Sequence, residues 1–81
     1  MNTKILFFAT LRDRVGARQI ELDLAQETTV AGLKNILVEK YPNLGESLPT
    51  VLVAVNQEFA HDDTLLTEGA EVALFPPVSG G

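Results

Sequence analysis

Apolar side chains keep two different rhythms along this chain. Residues 4–10, KILFFAT, form a nearly unbroken apolar run with two phenylalanines and no glycine or proline, which predicts a strand buried on both faces. A polar break, LRDRVG, closes on Gly16. In residues 18–24, RQIELDL, the apolar Ile20, Leu22 and Leu24 alternate with the polar Gln19, Glu21 and Asp23. Such alternation predicts a strand with one wet face, paired with the first as a hairpin.

From Thr29 the period becomes helical. Val30, Leu33, Leu37 and Tyr41 are spaced to share one face, with Ile36 beside them. Thr28 or Thr29 can cap the start and Pro42 stops the helix; Gly32 costs about 1 kcal/mol relative to alanine. After the loop PNLGESLP, residues 51–55 (VLVAV) predict another apolar strand. Asn56 and Gln57 then turn tightly into a short return strand, EFA. The stretch HDDTLLTEGA has the composition of a loop, and EVALF, residues 71–75, supplies the last strand.

One helix can cover only one face of the resulting sheet, so the fold class is α+β. The first and last long strands are both apolar enough to lie buried, side by side and parallel, at the sheet's centre. That arrangement is the β-grasp, or ubiquitin-like, fold: a domain over residues 1–75 and, over 76–81, a flexible functional tail. If Val51, Val53 and Val55 face the helix, Ala54 points outward among Phe8 and Phe75, with Phe59 on the return strand. Exposed, such a patch is a docking surface; the alternative is that these rings fold into a second small core.

Composition narrows the function. With 81 residues, 46% of them hydrophobic and 21% charged, the chain reads as one soluble domain. It lacks an apolar run of bilayer length, and its N-terminal apolar stretch breaks into LRDR without a small-residue cleavage site, which points to the cytoplasm and away from a membrane. Zero cysteines exclude disulfides and thiolate chemistry. A formal charge of -5 disfavours nucleic acid as a partner and favours a partner with a basic docking surface, steered by acids such as Glu46, Asp62, Asp63 and Glu68.

Within the domain, candidate chemistry is thin. His61 is the lone histidine; with Asp62 and Asp63 it reads as a solvated turn, because adjacent loop residues cannot converge on a metal and no further histidine or cysteine completes a ligand set. Ser47 and Ser79 have no histidine placed to activate them, and the glycines do not form a phosphate cradle. The end of the chain, FPPVSGG, is different. Pro76 and Pro77 end the sheet and launch an extended chain, while Gly80 and Gly81 carry no side chain to obstruct a narrow channel.

The segments FFATLRDRVG, TVAGLKNILVEKYP and VAVNQEFAHDDTLLTEGAEVALFPPVSGG resemble the small, sulfur-carrying subunits of molybdopterin synthase over essentially the whole chain. The resemblance implies a ubiquitin-like sulfur carrier in molybdenum cofactor biosynthesis. Its reactive group is the carboxylate of Gly81, made into an acyl-adenylate by an adenylyltransferase related to ubiquitin-activating enzymes and then into a thiocarboxylate by a sulfur donor. It implies Gly80 and Gly81 as the inserted tip, and Phe8, Phe59 and Phe75 as the surface that docks on the large subunit, in a heterotetramer of two small and two large subunits. No cofactor is bound by the carrier itself, and ATP is consumed by the adenylating partner; the acid–base residues belong to the large subunit. Rival readings are a carrier for thiamine or cysteine synthesis, a protein modifier, or a β-grasp binding module with an idle tail.

Overall fold

A computed structural model describes residues 1–77; Val78–Gly81, with the expected flexible tip, lie outside the described residues. The chain runs β1 (Asn2–Phe7), α1 (Thr10–Val15), β2 (Gln19–Asp23), α2 (Val30–Lys40), β3 (Leu52–Val55), β4 (Glu58–Phe59) and β5 (Glu71–Phe75), with short 3-10 turns at Pro42–Leu44 and Leu48–Thr50. The five strands form one sheet in the order β2-β1-β5-β3-β4. As expected, β1 and β5 lie parallel at the centre, with Ile5 opposite Val72 and Phe7 opposite Leu74. β1 and β2 pair antiparallel.

The helix α2 begins on Thr29, whose hydroxyl accepts a hydrogen bond from the Gly32 amide at 3.1 Å; of the two candidate threonines, this is the cap. Its buried stripe is Val30, Leu33 and Leu37. These pack against Ile5, Phe7, Val53, Val72 and Leu74 from the sheet's inner face. Tyr41 extends the stripe and meets Phe7 edge-on at 6.3 Å between ring centroids. Ile36, expected beside the stripe, is exposed, because it lies off the arc that the sheet can reach.

The polar break LRDRVG is not a loop. β1 ends at Phe7, and Ala9 turns the chain sharply, at φ 53° and ψ −128°, into the helix α1. Leu11 from this helix is fully buried, and that one apolar anchor holds a segment whose composition reads as a turn. Ala9 therefore leaves the face that Ile5 and Phe7 share. Gly16 closes α1 in the left-handed region at φ 84°, its amide donating to the Arg12 carbonyl at 2.8 Å, where a side chain would be strained. Arg14 and Asn43 then tie α1 to the first 3-10 turn reciprocally: the guanidinium donates to the Asn43 carbonyl and the Asn43 amide to the Arg14 carbonyl, each at 2.9 Å.

Both segments expected to be plain loops add to the core. Leu44 and Leu48 are buried from PNLGESLP, and Leu66 from HDDTLLTEGA. The latter segment also seats α2: the amides of Val30 and Ala31 donate to the carbonyls of Thr64 (3.0 Å) and Asp62 (2.9 Å). These bonds satisfy N–H groups that a helix's first turn leaves without internal partners.

Asn56 and Gln57 both take positive φ, 51° and 71°, and Val55 pairs with Glu58 across them. This is the two-residue hairpin turn that matches strand twist. Asn56 also reaches outside the hairpin: its side-chain oxygen accepts from the Glu71 amide at 3.0 Å, and its own amide donates to the Glu71 carbonyl at 2.8 Å. One residue thus supplies the turn and locks it to the first residue of β5.

Two substitutions test this account in urea denaturation. Asn56→Ala removes both the acceptor and the tolerance for positive φ and should destabilise by about 1–2 kcal/mol, while Asn56→Asp stays close to the parent; equal midpoints for parent and alanine variant would show that the bond does not hold the hairpin. Thr3 is fully buried on β1, and its hydroxyl has no hydrogen-bond partner among the described residues. Thr3→Val should therefore stabilise the protein by about 1 kcal/mol, since an unpaired buried hydroxyl is costly; a loss of stability would mean that the hydroxyl is satisfied in solution.

Candidate functional site: the outer sheet face and the root of the tail

α2 covers the inner face of the sheet, and the outer face is divided lengthwise. Towards the start of β1 it is polar, with Lys4 beside Glu21 on β2 and Glu71 on β5. Towards the other end it is apolar. Ala54 lies opposite Ala73 and Phe59, Leu52 opposite Phe75, and Leu6 opposite Ala73. Phe8 follows directly after β1, its amide donating to the Leu74 carbonyl at 3.2 Å.

The three phenylalanines expected on this face are all there. Phe8 and Phe75 stack with ring centroids 4.6 Å apart and planes 15° from parallel. Phe59 stands on the short edge strand with 78% of its surface exposed, and Phe8 keeps 40%. Together with Leu6, Ala54 and Ala73 they line a shallow depression of about 310 Å³. The stacked pair is partly self-sheltering, but the exposure of Phe59 and Phe8 decides against a closed second core. Leu52, 43% exposed, extends the patch. It was not singled out from the sequence, although the inward placing of Val51 and Val53 already sent it outward.

The parallel pairing also decides where the chain leaves the body. β5 ends at Phe75, beside the β1 end that carries Phe8, and Pro76 and Pro77 follow outside any regular element. They border a depression with Thr10 and Arg14 of α1 and with Glu46, Ser47 and Thr50. Pro76 and Pro77 thus depart at the edge of the apolar patch. Gly80 and Gly81 lie outside the described residues.

Other candidates resolve into structural roles. The His61 amide donates to the Thr64 hydroxyl at 3.1 Å, and Asp62 pairs with Lys34 at 2.9 Å, so this turn braces the start of α2. Asp62 is accordingly not a free steering charge, and Glu68 accepts a hydrogen bond from the Asn2 amide at 3.1 Å. Among the described residues no group of three or more His, Asp or Glu side chains is gathered to hold a metal ion. No described helix is long and apolar enough to cross a membrane.

Comparison with known proteins agrees with this geometry. The sequence model of the ThiS family matches residues 5–81, thus including the final glycines. The chain is 40% identical over 80 residues to the molybdopterin synthase sulfur carrier subunit of Escherichia coli, covering 96% of this chain and 98% of that protein. Among solved structures, SAMP1 from Haloferax volcanii superposes with a TM-score of 0.88 at 30% identity, over the full length of both chains. The fold is also shared, with a TM-score of 0.71 at 24% identity over the full length of both chains, by a protein in the complex of subunits 1 and 2 of the molybdopterin-converting factor from Helicobacter pylori. A β-grasp body with an exposed apolar face, a family model that matches nearly the whole chain, and relatives that share nearly its whole length together place the chain: it belongs to the ThiS family, among the molybdopterin synthase sulfur carrier subunits.

Proposed function

We propose that this protein carries sulfur on its C-terminal carboxylate and delivers it inside a molybdopterin synthase. The observation that carries the reading is the juxtaposition of the apolar face with the root of the tail. A partner seated on Phe8, Phe59 and Phe75 has Pro76 and Pro77 emerging at the rim of its contact. A tail of small residues beyond the prolines can then be fed into that partner's active site.

The chemistry divides among proteins. A carboxylate resists nucleophiles because its negative charge and resonance oppose attack. An adenylyltransferase joins the Gly81 carboxylate to the α-phosphate of ATP, expelling pyrophosphate and forming a mixed anhydride. A sulfur donor then displaces AMP, leaving a thiocarboxylate. On the large subunit the thiocarboxylate sulfur attacks a carbon of the pyranopterin precursor and displaces that carbon's oxygen substituent, a C–S bond forming as the C–O bond breaks; hydrolysis of the resulting acyl–sulfur bond leaves sulfur on the product and returns the Gly81 carboxylate. Two sulfurs make one dithiolene, so two loaded carriers are used per product, in keeping with a heterotetramer of two small and two large subunits. The acid–base groups belong to the large subunit, and the carrier binds no cofactor of its own. The absence of cysteine is no obstacle, because the sulfur rides on the terminal glycine. These steps belong to the cytoplasm.

Two experiments test the reading. Gly81→Ala, or one residue added after Gly81, should abolish thiocarboxylate formation by intact-protein mass spectrometry while leaving the unfolding midpoint unchanged; a fully active carrier with an uncleaved extension would refute the mechanism. Phe75→Ala should weaken binding to the large subunit about tenfold or more, as loss of a central aromatic anchor does, while costing about 1 kcal/mol of stability through the lost stacking on Phe8. Unchanged affinity in calorimetry would remove Phe75 from the dock.

A further inference from the structure

The net charge of -5 hides a local reversal. The chain has six cationic side chains, Lys4, Arg12, Arg14, Arg18, Lys34 and Lys40, and two of them, Lys34 and Arg14, have a side-chain partner among the described residues. Lys34 pairs with Asp62, Arg14 donates to the Asn43 carbonyl, and Lys4 lies between Glu21 and Glu71 in the strand register. Lys40 occupies the last turn of α2, where the helix dipole favours a positive charge. Arg12, in the last turn of the short helix α1, and Arg18 are set apart by lying together against the apolar face. Both are exposed, and among the described residues neither has a carboxylate within salt-bridge distance or a hydrogen-bond acceptor.

These two arginines are not scattered. Arg12 from α1 and Arg18 from the approach to β2 border one depression together with Leu6, Phe8 and Gln19. Leu6 and Phe8 also line the apolar depression, so the two surfaces are continuous. The backbone fixes the placement: the Phe7 amide donates to the Arg18 carbonyl at 2.8 Å, which sets Arg18 beside the Phe8 end of β1. At the other end of the same outer face stand Glu71 and Glu21 flanking Lys4. The docking face therefore has an apolar centre, a cationic rim beside Phe8 and a mostly anionic rim opposite.

We infer that the partner covering this apolar face presents carboxylates opposite Arg12 and Arg18. The inference rests on the docking face of the proposed function and gives that partner's rim a sign opposite to the one the carrier's net charge suggests. Arginine suits the task, because its fixed fork of donors matches a carboxylate and its charge does not titrate away. Rim charges act chiefly on encounter and orientation. Correct pairing turns the carrier so that Pro76 and Pro77 enter from one defined side; a carrier rotated by half a turn would bring Glu21 and Glu71 against the partner's carboxylates.

The test is stopped-flow association of the full-length carrier with the large synthase subunit of the same organism, at low salt and at about 0.5 M salt, where screening is nearly complete beyond a few ångströms. For R12E/R18E, the association rate constant at low salt should fall about tenfold, the difference from the parent should largely vanish at high salt, and R12K/R18K should stay within about threefold of the parent. Circular dichroism checks that both variants are folded. An R12E/R18E rate equal to or faster than the parent's at low salt overturns the inference, the faster case indicating a basic rim on the partner. Phe75→Ala, measured alongside, separates the two readings: if it weakens binding while R12E/R18E does not, the dock stands and the acidic rim falls; if Phe75→Ala has no effect, the dock itself is wrong.

Discussion

The parallel contact between β1 and β5 is the constraint on which the rest of this molecule depends. A parallel pair cannot be closed by a tight turn, so nearly the whole chain lies between these two neighbours, with α2 crossing one face. The contact buries Ile5 and Phe7 against Val72 and Leu74, which places four core side chains where the first and last strands meet. It also fixes direction: since β5 runs the same way as β1, the chain leaves the sheet at the end where Phe8 sits. An antiparallel pairing would have sent the tail out beside Lys4, away from the apolar patch.

Local devices maintain that end of the sheet. Ala9 takes a backbone conformation seldom seen outside glycine, so that the chain can show Phe8 outward and bury Leu11 three residues later. The Phe8 amide is bonded to the Leu74 carbonyl, and the Phe8 ring to Phe75 by stacking. The first aromatic of the outer face is therefore set by β5, and the last aromatic by β1. At the opposite end Asn56 fastens the β3–β4 turn to Glu71, which keeps Phe59, on a strand of only two residues, in register with Ala54.

The long-period features of this architecture were legible in the sequence because periodicity reports burial directly. The alternation of Ile20 and Leu22 with Glu21 and Asp23, and the helical spacing of Val30, Leu33 and Leu37, each name an element and its buried side. The outward set of Phe8, Phe59 and Phe75 followed from the same alternation. What escaped were segments whose fate hangs on a single buried residue. LRDRVG is too short and too polar to show a period, yet Leu11 makes it a helix; HDDTLLTEGA reads as a loop, yet Leu66 fills the core. A single anchor leaves no pattern to detect, and only the tertiary contact reveals it. The terminal glycines were read by resemblance and by the absence of side chains, and they lie outside the described residues.

Division of labour fits an interior whose buried side chains, among the described residues, are apolar apart from Thr3. An activated acyl group must be held where water cannot reach it, which requires an enclosed site, and a core of this size is already filled by the packing of one helix on one sheet. In the proposed function the reactive carboxylate is supplied on a terminus and the enclosure on a partner, which removes that conflict. The body then has two duties, to remain folded while its end is modified and to orient that end. Under that proposal the first falls to the β1–β5 seam and α2, and the second to the outer face with its apolar centre and the charged rims inferred for it. Orientation matters more here than affinity, because a carrier that delivers and departs gains nothing from a long residence. A modest apolar patch flanked by opposite charges speeds and directs docking without greatly slowing release.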